Sequence, residues 1–351
     1  MKILVPTFVL ALAIHAGALA QEAGADDARL LRDGEKHLRN IRQLTFEGEN
    51  AEAYLSFDET KLIFQSRLAG MECDQIYTMT IDGADRRRVS SGNGRTTCSY
   101  WLPDGEHIIY ASTEAHAADC LPQPDKSKGY VWKLYPEFDI YRARSDGSEI
   151  QPLAVSDGYD AEATVSPNGD KIIFTSTRDG DPELYTMNID GSNLTRLTHE
   201  PGYDGGAFFS PDGSKIVFRA SRPRTEEEQA AYKELVNEHL VRPTNLEIFV
   251  MDADGSNMRQ VTDNGAANFA PYMHPDGQRI IFCSNMDAKN RRNFDLYMVN
   301  INGGDAERIT FDGEFDGFPM FLRDGKHLVF CSNRNNKNPG DTNVFIAEWV
   351  D

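Results

Sequence analysis

Apolar residues along this chain fall in short runs of three, each introduced by a tight polar turn. The cleanest copy reads Ser210-Pro211-Asp212-Gly213-Ser214-Lys215-Ile216-Val217-Phe218. Variants of the turn are Leu102-Pro103-Asp104-Gly105, Ser166-Pro167-Asn168-Gly169, His274-Pro275-Asp276-Gly277 and Leu322-Arg323-Asp324-Gly325, with Phe57-Asp58-Glu59-Thr60 as a degenerate sixth. After the first five copies comes an alternating apolar–polar strand that ends in Asp-Gly or Asn-Gly, as in Leu184-Tyr185-Thr186-Met187-Asn188-Ile189-Asp190-Gly191. Such dipeptides between alternating runs signal hairpins, because both turn residues tolerate positive φ. A third phrase closes the unit, as in Thr195-Arg196-Leu197-Thr198. Each unit therefore predicts four antiparallel strands, a to d.

Six such units predict an all-β fold, a six-bladed β-propeller in which each sheet packs against its neighbours. The sixth unit runs through Val344-Phe345-Ile346-Ala347-Glu348-Trp349 as strand c and then stops. Its missing strand d is supplied from the other end of the chain by Ile41-Arg42-Gln43-Leu44-Thr45-Phe46, which closes the ring and removes the open edge. The Ser-Pro-Asp-Gly-x-x-Ile-x-Phe and Asp-Gly-Ser-Asn-x-x-x-Leu-Thr phrases resemble the repeats of TolB-like β-propellers, over about residues 41 to 351. TolB itself carries an α/β domain before its propeller, whereas only Gln21 to Asn40 lie between the leader and the first strand here. The resemblance thus implies a stand-alone periplasmic or secreted bacterial propeller; it specifies fold more than function.

The first twenty residues read as a signal peptide. Lys2 gives the positive start, Ile3 to Ala20 is largely apolar, and Ala18-Leu19-Ala20 is a small-x-small cleavage site before Gln21. No other stretch is apolar and long enough for a membrane helix. The organisation expected is a leader over 1–20, an extension over 21–40 and a propeller over 41–351. With 36 Lys+Arg against 55 Asp+Glu, the net charge of -19 argues against nucleic acid as partner, because phosphate is repelled.

Chain direction places the a–b and c–d turns on one face and the d–a and b–c loops on the other. On the second face, equivalent d–a positions carry Asn50, Thr96, Asp160, Asp204, Asn268 and Asp316, with Glu52, Cys98 and Glu162 two residues later in three units. This pattern predicts a ring of oxygen-bearing side chains at the channel mouth, able to hold a polar ligand or a divalent cation such as calcium; its alternative is a set of local Asx turns. Arg67, Arg178, Arg222 and Arg334 follow strand b and either bind a carboxylate or form salt bridges to Asp residues of neighbouring blades. Aromatic neighbours of the ring are Tyr159, Tyr203, Phe269 and Phe315.

Intervals between the repeated turns are 46, 64, 44, 64 and 48 residues, which locates insertions in the b–c loops of units two and four. The first spans Glu114 to Glu137 and the second Arg224 to Pro243, where Thr225 and Glu228 form a capping box before a helix with Ala231, Leu235 and Leu240 as its apolar stripe. Long insertions on one propeller face frame a ligand site as lids. Of the five cysteines, Cys283 and Cys331 sit at strand-b core positions, and two of Cys73, Cys98 and Cys120 are placed to pair in an oxidising compartment. The chain has no Gly-x-Ser-x-Gly elbow, His-Glu-x-x-His helix or phosphate loop. The leading expectation is therefore a propeller that binds a protein, peptide or glycan at the d–a/b–c face. The alternatives are a metal-assisted or carboxylate-based hydrolase or lyase acting on a polysaccharide or peptide, with carboxylates such as Asp160, Glu162 and Asp204 as acid, base or metal ligands, and a structural envelope scaffold around a water-filled channel.

Overall fold

The computed structural model describes residues 28–289 and 292–351. The expected leader over 1–20 lies outside the described residues. Six four-stranded antiparallel sheets form a ring. Blade one comprises Glu49–Leu55, Lys61–Arg67, Gln75–Thr80 and Arg87–Arg88. The remaining blades have strand a at Thr96–Trp101, Asp160–Val165, Asp204–Phe209, Asn268–Met273 and Asp316–Phe321. Strand b follows at His107–Ser112, Lys171–Ser176, Lys215–Ala220, Arg279–Ser284 and His327–Ser332.

Closure is by the strand predicted to do it, three residues earlier than expected. Leu38–Gln43 pairs antiparallel with Asn343–Trp349, Leu38 opposite Trp349 and Gln43 opposite Phe345. The preceding residues join the same blade: Leu30 and Glu35 are buried in it.

The three-residue apolar runs of strand b are explained by burial on both faces. Leu62, Ile63 and Phe64 are all 0 % exposed, and so are Ile216, Val217 and Phe218 and the equivalent triplets of every other blade. A strand sandwiched between two neighbouring sheets has no solvent face, so alternation is lost. At the a–b turn, Asp212 accepts from the Ser210 and Ser214 hydroxyls at 2.6 and 2.8 Å. Gly213 there takes φ +73°; in the degenerate first copy Glu59 occupies the same conformation at +58°.

Each strand a breaks register once. The shifts lie between Ala51 and Tyr54, Thr97 and Tyr100, Ala161 and Thr164, Gly205 and Phe208, Phe269 and Tyr272, and Gly317 and Met320. At every shift one residue adopts left-handed backbone: Glu52, Cys98, Glu162, Gly206, Ala270 and Phe318, with φ between 47° and 59°. This six-fold β-bulge turns that side chain toward the axis and forms the innermost ring of the propeller. On its turn-face side, Tyr54, Tyr100, Phe208 and Tyr272 cluster with ring centroids 5.2–6.3 Å apart. They separate the mouth from a smaller cavity of about 250 Å³ on the turn face, so the axis is plugged by aromatic rings.

The two insertions meet. Trp132–Lys133 and Leu240–Val241 form a short antiparallel ribbon, Lys133 opposite Leu240 and Trp132 opposite Val241. Leu134 N–H donates to the His239 carbonyl at 2.8 Å and Lys128 pairs with Glu238 at 2.7 Å. The helix runs Glu226–Asn237 with the predicted capping box, Thr225 Oγ1 accepting from Glu228 N–H at 3.1 Å. Its packed side differs from the expected stripe. Ala231 is exposed and Leu240 belongs to the ribbon, while Tyr232, Leu235 and Val236 are half-buried. The Tyr232 hydroxyl is anchored on Asp181. Cys73 and Cys120 form a disulfide that ties the blade-two insertion to the b–c loop of blade one; Cys98, Cys283 and Cys331 are buried thiols.

Candidate functional site

Beneath the ribbon, on the d–a/b–c face, lies a cavity of about 570 Å³, within the range typical of ligand pockets. One wall is aromatic. Trp132 packs on Phe269 at 5.1 Å, Phe269 on Phe294 at 5.0 Å, Phe294 on Phe315 at 6.2 Å and Phe315 on Phe318 at 5.9 Å. Across from it, Phe138 meets Tyr159 edge-on at 5.8 Å. The remaining wall carries Glu49, Gln65, Asp74, Arg95 and Thr97, and the floor is the bulge ring with Glu52, Cys98 and Glu162.

The floor contains one fully satisfied carboxylate. Glu162 Oε1 accepts from Arg219 Nη2 at 2.8 Å, and both of its oxygens lie within 2.9 Å of the Tyr203 hydroxyl. Glu162 Oε2 also accepts from Thr175 Oγ1 at 2.9 Å and from Gly206 N–H at 2.7 Å. The Arg219 guanidinium lies 5.3 Å from the Trp132 ring and 5.6 Å from Tyr203, so the ribbon roofs it. Gly206 makes room for this network. A Cβ there would come 2.5 Å from Arg219 Nη1, although Ala270 shows that the bulge itself admits a side chain.

Glu52 is treated differently. Among the described residues it forms no ion pair, and its one side-chain partner is the Cys98 thiol, which donates to Oε1 at 3.8 Å. Burial, reinforced by the Glu162 charge and opposed by Arg219 and Cys98, pushes its carboxyl from 4.5 up to about 7. The Cys98 thiol is itself pushed well above its ordinary range by burial and these carboxylates, which keeps it a neutral donor. A carboxyl whose folded value exceeds its unfolded one favours the fold when protonated. Its contribution is complete below pH 4.5 and lost as pH rises through about 7. Thermal denaturation is therefore expected to show stability declining from pH 5 to 8, with Glu52→Gln flattening that slope; an unchanged slope would rule out Glu52 as its source.

The model of the TolB β-propeller domain matches residues 123–240 and 233–346, most of the chain. The chain belongs to the TolB β-propeller family. An uncharacterized protein of Agrobacterium fabrum is 29 % identical over 101 residues, a match that spans 29 % of this chain and 28 % of that protein. Solved structures with a similar fold include a TolB candidate from Agrobacterium tumefaciens, at TM-score 0.53 and 19 % identity, covering 89 % of this chain and 97 % of that one. TolB from Acinetobacter baumannii aligns at 0.54 and 18 %, covering 88 % and 65 %, so this chain spans just under two thirds of its length. An oligogalacturonate lyase in complex with manganese aligns at 0.52 and 15 %, covering 89 % and 93 %. At these identities the likeness is one of fold.

In this TolB-like propeller the d–a residues do not converge on the mouth. Asn50, Thr96, Asp160, Asp204, Asn268 and Asp316 are all 0 % exposed. Asp160 accepts from Arg178 at 2.9 and 3.0 Å, Asp204 from Arg222 at 2.7 Å and Asp316 from Arg334 at 3.1 Å. Each pair lies within one blade rather than between neighbours, and each arginine covers the strand-b or strand-c aromatics, as Arg334 covers Phe330 at 5.0 Å. Asn50 and Asn268 donate to the Thr342 and Leu246 carbonyls, both at 2.7 Å. These residues hold strand ends together. Arg67 pairs with Glu49 at the rim. Asp160 and Asp204, named as acid–base candidates, are out of reach of a substrate, and Glu162 is the one that reaches the cavity.

Among the described residues no three His, Cys, Asp or Glu side chains form a metal-binding group. His116 instead faces Asp139 at 3.0 Å. Two residues central to the site, Arg219 and Trp132, were not singled out from sequence as site residues. Arg219 had a signal: it occupies the strand-b position held elsewhere by Gln65, Ala111, Thr175, Cys283 and Cys331. A charge at a core position of a repeat marks a departure from the structural pattern.

Proposed function

We propose that this TolB-like propeller is an exported, periplasmic or secreted binding protein that takes a segment of a peptide, protein or glycan into the mouth cavity. The observation that carries the reading is the ribbon. Two insertions from different blades pair with each other and hold Trp132 against Phe269 and above Arg219, which forms a roofed, aromatic-walled pocket with polar groups on one side. Aromatic walls with a few fixed polar groups are the usual chemistry of such sites, and the net charge of -19 disfavours nucleic acid. The Cys73–Cys120 bond supports an oxidising compartment.

Ligands selected by the purified protein from defined hexapeptide and oligosaccharide libraries test this. Trp132→Ala is expected to weaken them by at least about tenfold, as loss of a central aromatic anchor does. Arg323→Ala, at the opposite face and two-thirds exposed, is expected to change nothing. Equal affinities for wild type and Trp132→Ala would place the ligand elsewhere.

A further inference from the structure

We propose that the floor of the mouth cavity is a subsite for a primary alkylammonium group, a lysine side chain or a peptide N-terminus, with Glu52 as its counter-ion and the aromatic wall around its stem. The inference rests on the binding reading above and names the ligand chemistry of the same cavity.

The carboxylates around the cavity are paired with arginines with one exception, and the Lys133 ammonium at the ribbon donates to the Glu238 carbonyl at 2.7 Å. Glu49 is bound to Arg67, Asp74 lies 3.3 Å from Arg95, and Glu162 lies 2.8 Å from Arg219. Glu52, at the innermost ring, has only a thiol 3.8 Å away. It is held facing the axis by the bulge, at φ 55°, and lines both the mouth cavity and the narrow space below it. A ligand anion would meet four carboxylates there, three of them already matched. A ligand cation would meet one unmatched carboxylate at the end of a pocket walled by Trp132, Tyr159, Phe269, Phe315 and Phe318. Aromatic faces attract ammonium groups and pack the methylenes behind them. A lone carboxylate suits a monocation; a hard divalent cation wants several oxygens.

The groups that face Glu52 are Glu162 and Cys98 on the ring, Arg219 beside Glu162 and Asp74 on the wall, with Tyr54 below and Cys331 from blade six. Arg219 is engaged by Glu162 and Tyr203. Desolvation leaves Glu52 partly protonated near neutral pH, so a bound ammonium drives its proton off. Binding is then accompanied by proton release, which a neutral ligand does not cause.

The probes are N-acetyl-Gly-Lys-Gly-amide, its Nε-acetylated form, Gly-Gly-Gly-amide with a free N-terminus, and that peptide N-acetylated. Titration calorimetry at pH 6.5 in two buffers of different ionisation enthalpy is expected to show at least tenfold tighter binding of an amine than of its acetylated form. A fraction of a proton should be released, and Glu52→Gln should abolish both. Which amine binds identifies the source of the ammonium. Proton release by the wild-type protein needs no variant, so the test stands even where Glu52→Gln folds poorly. Equal binding of amine and acetylated peptides, no binding of either amine, or retained preference in a folded Glu52→Gln protein would overturn the subsite. None of these outcomes touches the mouth-cavity reading, which fails on Trp132→Ala instead.

Discussion

Arg334→Met is expected to cost about 3–5 kcal/mol of folding stability, the range for breaking a buried ion pair from one side. Arg334 and its two carboxylate partners, Glu35 and Asp316, have fully buried side chains. The guanidinium donates to Glu35 at 3.0 and 3.2 Å, to Asp316 at 3.1 Å, to the Leu30 carbonyl at 3.0 Å and to Ser332 Oγ at 3.0 Å. It thereby fastens the segment before the closing strand to the last blade. Without it two carboxylates remain in the core with no cation between them. Burial already pushes the Asp316 carboxyl up against the pull of Arg334; in the variant that opposition is gone and the folded state binds more protons than the unfolded one. Stability of Arg334→Met then falls as pH rises, so the loss in urea denaturation is expected to be larger at pH 8 than at pH 5. A loss below about 1 kcal/mol, the scale of an exposed pair, would show that the triad does not hold the closure.

Removing the Cys73–Cys120 bond by a Cys73→Ala/Cys120→Ala double substitution is expected to cost about 2–4 kcal/mol. The two cysteines are 47 residues apart, and a closed loop of this length restricts the unfolded chain by about 4 kcal/mol in the chain-entropy treatment. The effect reaches function through one structural route. The bond anchors the start of the insertion whose far end carries Trp132, so the double variant is also expected to bind mouth ligands more weakly. Guanidinium denaturation and ligand titration on the same preparations check both. Unchanged stability would show that the bond does not constrain the chain, and unchanged affinity would show that the ribbon is held by blades two and four without it.

The blade pattern was legible because its chemistry is local. Pro-Asp-Gly-type a–b turns need particular residues at particular backbone angles, and a strand buried on both faces needs consecutive apolar residues; both recur six times, and the Asp-Gly or Asn-Gly c–d turn five times. Closure followed from counting strands, although its register was set by how Leu30, Glu35 and Leu38 pack on blade six. The candidate ring was misplaced for a definite reason. In a regular strand, residues two apart share a face, so Asp160 and Glu162 both pointed at the channel. The bulge at Glu162 breaks that parity: it sends Glu162 to the axis and leaves Asp160 against Arg178 within the blade.

By itself, then, the sequence determined six four-stranded blades, their order and the two insertions on one face, because each depends on residues within a few positions of one another, and the closing strand, because the last unit is one strand short. Tertiary structure decided which side chains meet in the site. Glu162 and Arg219 are 57 residues apart, Lys133 and Leu240 pair across 107, and Cys73 chooses Cys120 over Cys98 because Cys98 is turned into the channel by its own bulge. Such contacts arise where neighbouring blades converge on the axis, and no local pattern of turns or apolar runs encodes which side chains meet there.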